Sequence, residues 1–251
     1  MSGYARRVDR MQSLGAAGAR LLALDLTDDA SMTACIKSIL QEVGQIDVLI
    51  NNAGYGSYGA LEEVPLDEGR RQFDVNIFGL ARLIQLVLPT MRARRSGRIV
   101  NVSSVGGKFG EPFGCWYHAT KFALEGLSDS LRMELHPFDI DVVVIEPGAI
   151  LTEWNSIARD GLIRYSGQGS YEDAARTHVK MMAFADKGLL PSPPRVVAKT
   201  ILKAVQASKP RTRYAVGGGA KIMLFLRSLL SDRAFDAMMR MSERQATKSA
   251  A

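Results

Sequence analysis

Four short apolar runs in the first 150 residues constrain this chain most. Arg20 to Asp25 reads RLLALD, Asp47 to Ile50 DVLI, Arg98 to Val102 RIVNV and Asp141 to Ile145 DVVVI. Each is too short for a stable helix, is rich in Val, Ile or Leu, and leads into polar or turn residues. Each therefore predicts a buried strand. Between the runs, apolar residues recur at helical spacing. Asp28 and Asp29 open one such stretch; Met32, Cys35, Ile36, Ile39, Leu40 and Val43 mark its face, and Gly44 ends it. Phe73, Ile77, Ala81, Ile84, Leu88 and Met91 mark a longer helix over 66–94, and a third runs from Tyr117 to Leu135. Pro194 opens a helix near Arg195 to Ala207, and Arg213 to Val216 predicts a last strand.

Buried strands alternating with helices predict an α/β fold. The expected form is a Rossmann-like doubly wound parallel sheet with helices on both faces, in one domain over 1–251. Ligands of such sheets bind beyond the carboxyl ends of the strands. Asn51, Ser104 and Gly148 all sit just past such ends. Residues 153 to 192, rich in Gly, Ser and Pro, predict an irregular segment. Residues 219 to 251 predict a basic helical extension.

Composition narrows the class. The 251 residues are 47% hydrophobic and 23% charged, enough apolar surface for a core and not the balance of a disordered chain. Cys35 and Cys115 form no C-x-x-C pair, which argues against a disulfide framework or a cysteine zinc site and predicts a reducing, cytoplasmic setting. No apolar run approaches the ~18–20 residues that span a bilayer, and the first ten residues lack a secretory core. The net charge of +6 is uneven: residues 195–251 hold 12 Lys or Arg and three acids, a net of +9, so the first 194 carry −3. Such a tail reads as a solvated helical surface or as a contact for an acidic partner or anionic membrane; no aromatic-interleaved basic stripe points to nucleic acid. Ala220 to Leu230 (AKIMLFLRSLL) is apolar almost all round. It predicts peripheral membrane contact through 220–251, or packing over the substrate pocket or a second subunit.

Tyr117 and Lys121 stand at i and i+4, on one face of their helix. A phenol ordinarily ionises near ~10, and a neighbouring ammonium favours the phenolate. The pair has company. Asn51-Asn52-Ala53-Gly54 closes one strand, Asn76 lies in the next helix, Ser103-Ser104 closes another strand, and Pro147-Gly148-Ala149-Ile150-Leu151-Thr152 follows a third. In this order and spacing the sequence resembles the short-chain dehydrogenase/reductase family, strongly over 4–152 and more loosely to 216.

The resemblance implies a hydride transfer between a nicotinamide cofactor and a ketone or secondary alcohol. Tyr117 is then the general acid or base, and Lys121 lowers its pKa and holds the ribose hydroxyls. Ser104 binds the substrate oxygen, and Asn76 anchors a water leading protons to Lys121. Asn51, Ala53 and Gly54 line the adenine-ribose side, Asp25 meets the adenine edge, and Pro147, Gly148, Ile150 and Thr152 shape the carboxamide site. The resemblance also implies that the irregular segment over 153–192 is a flap over the substrate. The plainer readings are strand-end turn bonds for Ser103 and Ser104, an internally satisfied amide for Asn76 and a helix cap for Asp25. Arg6 and Arg7, in the place where an arginine meets a 2′-phosphate, favour NADP(H) over NAD(H); solvated helix-start arginines are the alternative. Trp154, Ile157, Leu162, Tyr165, Phe109 and Phe113 suggest an apolar substrate, and family likeness suggests a homodimer or homotetramer through 67–94 and 117–135.

One family feature is not seen. The glycine-rich turn after the first strand, where backbone N–H groups meet a pyrophosphate, does not precede Asp25. Gly54 to Gly59 fits G-x-G-x-x-G, but Asp74, twenty residues on, falls in a helical stretch. The expectation is an N-terminally incomplete fold, short of a central strand, the turn and a helix. That would leave Arg20–Asp25 apart from Asp47–Ile50, both with open edges. It also keeps a second function in view, a catalytically impaired binding or scaffold subunit. A hydrolase is disfavoured, because there is no G-x-S-x-G and the three histidines are scattered.

Overall fold

A computed structural model describes residues 2–5, 8–187 and 191–249. The chain order is β1 (Ser2–Ala5), α1 (Gln12–Ala16), β2 (Arg20–Ala23), α2 (Asp29–Val43), β3 (Val48–Asn51), α3 (Leu66–Phe73) and α4 (Leu80–Arg94). It continues with β4 (Gly97–Val102), α5 (Cys115–Leu135), β5 (Ile140–Pro147), α6 (Glu153–Ser166), α7 (Glu172–Lys187) and α8 (Arg195–Gln206), and ends with β6 (Arg213–Val216), α9 (Ala220–Leu229) and α10 (Asp232–Ser249).

All strand pairs are parallel. β3, β4, β5 and β6 form a four-stranded sheet in chain order. β1 and β2 form a separate pair, so the expected separation of β2 from β3 is found. Among the described residues no strand joins them, and Ile50 of β3 is 37% exposed. The middle of the large sheet is its opposite: Ile99 and Val100 of β4 and Val144 and Ile145 of β5 are fully buried. β5 is β-branched on both faces because helices cover both. Met32, Ile36 and Ile39 of α2, Ile84, Val87 and Met91 of α4 and Leu124 of α5 pack with Leu49, Ile99 and Val142 on one side. Val197, Ile201 and Ala204 of α8 meet Val100, Val143 and Ile145 on the other.

Asp28 caps α2 by accepting from the Ala30 N–H, and left-handed Gly44 ends it. Helix 66–94 departs from simple periodicity. Asp74–Gly79 is a π-helical turn, whose extra residue rotates everything after it. Leu80, Leu83 and Val87 are therefore buried besides the expected Ile84 and Met91. This helix is also long and apolar enough to cross a membrane (mean hydropathy 1.2 over 18 residues), contrary to the expectation that no segment qualifies. Its apolar face is spent on the core.

The flap is a second correction. Residues 153–187 are largely helical, not irregular. Thr152 caps α6 by accepting from Trp154 N–H, and Ala158, Leu162 and Ser166 bury one face at i, i+4 and i+8. Gly161 is carried inside α6, while Gly167 and Gly169 lie between α6 and α7, where Gly169 has φ +89°.

Candidate active site

The site forms where β3, β4 and β5 end. Ser104 follows β4 in extended conformation; its Oγ accepts from Gly106 N–H at 3.0 Å and lies 3.5 Å from the Pro147 carbonyl. Tyr117 and Lys121 project from the first turns of α5. The Lys121 Nζ lies 5.9 Å from the Tyr117 ring centroid and donates to the Val102 carbonyl at 3.0 Å. Tyr117 is 8% exposed.

Burial dominates the electrostatics. It pushes the Tyr117 phenol up to about 12, against a hydrogen bond from Ser104 that favours the phenolate; the Glu111 charge adds to the rise. Burial pulls Lys121 down to about 8, and Glu125 one turn further along opposes this. The expected acidifying effect of Lys121 on Tyr117 is not seen in this arrangement: the ammonium donates to Val102, and burial, Ser104 and Glu111 set the direction.

Asn76 sits in the π turn, 3% exposed. Its Nδ2 donates to the Tyr55 carbonyl at 2.9 Å and to Thr120 Oγ1 at 3.1 Å, while its Oδ1 accepts from Tyr55 N–H at 3.1 Å. It therefore ties the loop after Gly54 to α5. Asn51 Nδ2 donates to Asn101 Oδ1 at 2.9 Å, and Asn101 donates on to Ser128 of α5 at 3.0 Å. Asn51 thereby braces β3 to β4 and α5. Gly54 lies against Asn76, and Ala53 is exposed beside it. After β5, Gly148 has no room for a side chain: a Cβ there would come within 2.3 Å of the Gly218 carbonyl. Ile150 bridges Ser192, and Thr152 begins α6.

Asp25 is not brought to this cluster. Asp25 follows β2 in the other sheet, and its Oδ1 accepts from the Thr27 N–H and hydroxyl at 2.9 and 2.7 Å. That is turn chemistry, and the helix cap is Asp28. Arg6 and Arg7 lie outside the described residues.

Near Tyr117 lie Trp154 and Phe113, which the sequence marks as apolar pocket residues, and Tyr58, Glu111 and His178, which carry no usable sequence signal. The Tyr58 ring lies 5.9 Å from that of Tyr117 and the Trp154 ring 5.0 Å. Trp154 packs where a Gly56 side chain would stand, 2.5 Å from a Cβ. The Tyr58 hydroxyl donates to Glu111 Oε1. His118 Nδ1 lies 2.8 Å from the Gly106 carbonyl and its Nε2 accepts from Glu111 N–H at 3.2 Å, which assigns the proton to Nδ1. Phe113 and His178 extend this aromatic group to a cavity of about 850 Å³, also lined by Ala60, Leu61, Pro112 and Tyr171.

A charged network lies behind the site. Glu125 and Glu146 are both buried; Lys108 Nζ lies 2.8 Å from Glu125 and 3.8 Å from Glu146, and Arg213 Nε 3.0 and 3.4 Å. Four elements that carry site residues or adjoin them are thereby clamped together: the turn after Ser104, α5, the end of β5, and β6.

The donor set fits the nicotinamide-ribose end of a dinucleotide. An ammonium has three donors, and Lys121 spends one on Val102. The buried Asn51 Oδ1 has no protein partner. For the pyrophosphate, no glycine-rich turn opens a helix after β1 or β2 among the described residues.

A parallel α/β sheet with tyrosine, lysine and serine gathered at its carboxyl edge defines an oxidoreductase scaffold. Residues 3–162 match the family described as short chain dehydrogenase, and the chain belongs to that family. It is 37% identical over 199 residues to the 3-ketodihydrosphingosine reductase of Bacteroides thetaiotaomicron, covering 79% of this chain and 72% of that one. It is also 37% identical to bovine retinol dehydrogenase 8 over 193 residues, 76% of this chain and 61% of that one. A short-chain dehydrogenase structure from Streptomyces avermitilis superposes with a TM-score of 0.74 at 33% identity, covering 98% and 87% of the two chains. The chain is thus an NAD(P)-dependent dehydrogenase/reductase by family.

Proposed function

We propose that this protein reduces an apolar ketone, or oxidises the matching secondary alcohol, with Tyr117 as the general acid or base. The observation that carries the reading is the convergence of Ser104, Tyr117 and Lys121 beyond β4 and at the start of α5. A nicotinamide cofactor, when bound, supplies or accepts the hydride. The chain's own residues do the rest. A phenol held near 12 keeps its proton at neutral pH and can deliver it to a carbonyl oxygen. Ser104 can donate to the same oxygen and stabilise its developing charge. Lys121 would hold ribose hydroxyls and neutralise the phenolate left after proton delivery. Thr152 and the backbone at Pro147, Gly148 and Ile150 would take the carboxamide end.

The substrate class we propose is lipid-like. Tyr58, Trp154 and Phe113 give Tyr117 an aromatic surround, and the neighbouring cavity has room for an extended apolar group. The names of two relatives, a ketosphingoid reductase and a retinol dehydrogenase, support the same class. NADP(H) is the proposed cofactor, on Arg6 and Arg7, and the cytoplasm the proposed location. We also propose a homodimer through the helices over 67–94 and 117–135, where Phe78 of the π turn and Phe122 and Met133 of α5 are 61%, 49% and 68% exposed. Finally, β3 and the β1–β2 pair each keep an unpaired edge, and we propose that a further strand joins the two sheets.

The test is a panel of lipid-like and small ketones, followed at the absorbance of reduced nicotinamide with NADPH and NADH. The expected result is turnover of the lipid-like members with NADPH preferred, and a preference lost in Arg6→Asp. No turnover on any carbonyl, together with no quenching of intrinsic fluorescence by either nucleotide, would favour the scaffold reading instead.

A further inference from the structure

α9 presents two unlike faces. Its inner face is anchored. Ala220 is buried, and Arg227 reaches inward with Nε 3.3 Å from the Lys108 carbonyl and Nη2 2.6 Å from Asp232. The Arg227 guanidinium also lies 5.5 Å from the Phe235 ring. The outer face is apolar and bare. Ile222, Phe225 and Leu229 stand at i, i+3 and i+7 and are 64%, 61% and 65% exposed. Three large apolar side chains on one face of a ten-residue helix are not scattered exposure.

Charge and size decide what covers this face. Lys221 is exposed on the same helix, and Arg233 and Arg240 are exposed on α10. Over 220–249, α9 and α10 hold six Lys or Arg against Asp232, Asp236 and Glu243, a net of +3. A second copy docking here would bring two such basic segments together. The three side chains also offer a patch on the order of 300 Å², against about 800 Å² per partner in a stable interface. An anionic bilayer meets both features, since it takes apolar side chains into its boundary and attracts the cations around them.

We propose that α9 is an interfacial helix that docks this protein on an anionic membrane surface through Ile222, Phe225 and Leu229, with Lys221, Arg233 and Arg240 against the lipid headgroups. The inference stands apart from the redox reading, because none of these residues belongs to the Tyr117 site.

The experiment is co-sedimentation of the full chain with vesicles of phosphatidylcholine alone and of phosphatidylcholine with 30% phosphatidylserine, at low and at 0.5 M salt. Binding to the anionic vesicles is expected to exceed binding to the neutral ones by at least tenfold at low salt and to fall steeply with salt. The triple variant Ile222→Gln, Phe225→Gln, Leu229→Gln should lose at least tenfold in binding while keeping its melting temperature and any ketone reduction. The double variant Arg233→Glu, Arg240→Glu, which leaves the apolar face intact, should lose the preference for anionic lipid. Equal vesicle binding by wild type and the triple variant would overturn the proposal. So would absent vesicle binding with a concentration-dependent dimer that the triple variant abolishes, which would assign the face to a second copy.

Discussion

The two sheets of this molecule follow the same strand pattern and meet different fates. β3 to β6 form a sheet whose middle strands are sealed by helices on both faces, and the end of that sheet carries the whole Ser104, Tyr117 and Lys121 group. The β1–β2 pair has the same parallel geometry, but β2 reaches only partial burial, and Leu22 and Leu24 touch the core from its margin. The lesson is one of location. The chemistry at the nicotinamide end is assembled by buried strands and braced by Asn51, Asn101 and Ser128. The residues expected at the adenine end, Asp25 and Arg6, belong to the margin or lie outside the described residues.

The contrast can be tested by mutation. Ile145→Ala, in the middle of the large sheet, is expected to lose about 3–4 kcal/mol of stability, the upper range for an Ile truncated in a packed core. Leu22→Ala in β2 should lose under about 2 kcal/mol, because a half-buried site leaves a smaller cavity. Denaturant melts of both variants check this, and equal losses would erase the distinction. Amide hydrogen exchange should separate the regions in the same order, with β4 and β5 exchanging only through global unfolding and β1–β2 through cheaper local opening. Uniform protection would contradict it.

A smaller effect probes the site itself. Lys121, held down to about 8, loses its proton as pH rises through 8 instead of through the usual lysine range. Any rate that needs the ammonium should therefore fall above about pH 8. Between pH 8 and 10.5 the unfolded chain binds the extra proton, so this group makes stability rise with pH over that window. Glu125→Gln removes the charge that supports the ammonium, and the alkaline limb of the rate profile should move to lower pH. A limb that stays in place would remove Glu125 from the account. Smallest is Asn51→Ala, which breaks one buried hydrogen bond and should cost about 1 kcal/mol with little change in rate.

Much of this was legible in the sequence, and the exceptions have physical causes. The strands could be read because β5 and its neighbours are β-branched runs bounded by turn residues. Tyr117, Lys121, Ser104 and Asn76 could be read because fixed spacing puts them at strand ends or on helix faces. The rotation of α4 could not, since a π turn leaves no mark in periodicity until its burial pattern is seen. The flap helices are hidden by glycines, of which Gly161 is carried inside α6 and Gly167 and Gly169 sit between the two helices. Tyr58, Glu111 and Trp154 come from three loops or helix starts far apart in the chain, and only the fold brings their side chains to Tyr117. Spacing places a lysine next to the Tyr117 phenol but does not report the burial of both, which dominates their ionisation.

The central claim is that the Tyr117 hydroxyl moves the proton. Tyr117→Phe removes that oxygen and little else, so the decisive measurement is single-turnover reduction of an accepted ketone by this variant, beside nucleotide affinity from fluorescence quenching. The account predicts a rate lower by roughly 10³-fold with affinity for the nucleotide nearly unchanged. A variant that reduces the ketone within a few-fold of the wild-type rate would contradict it.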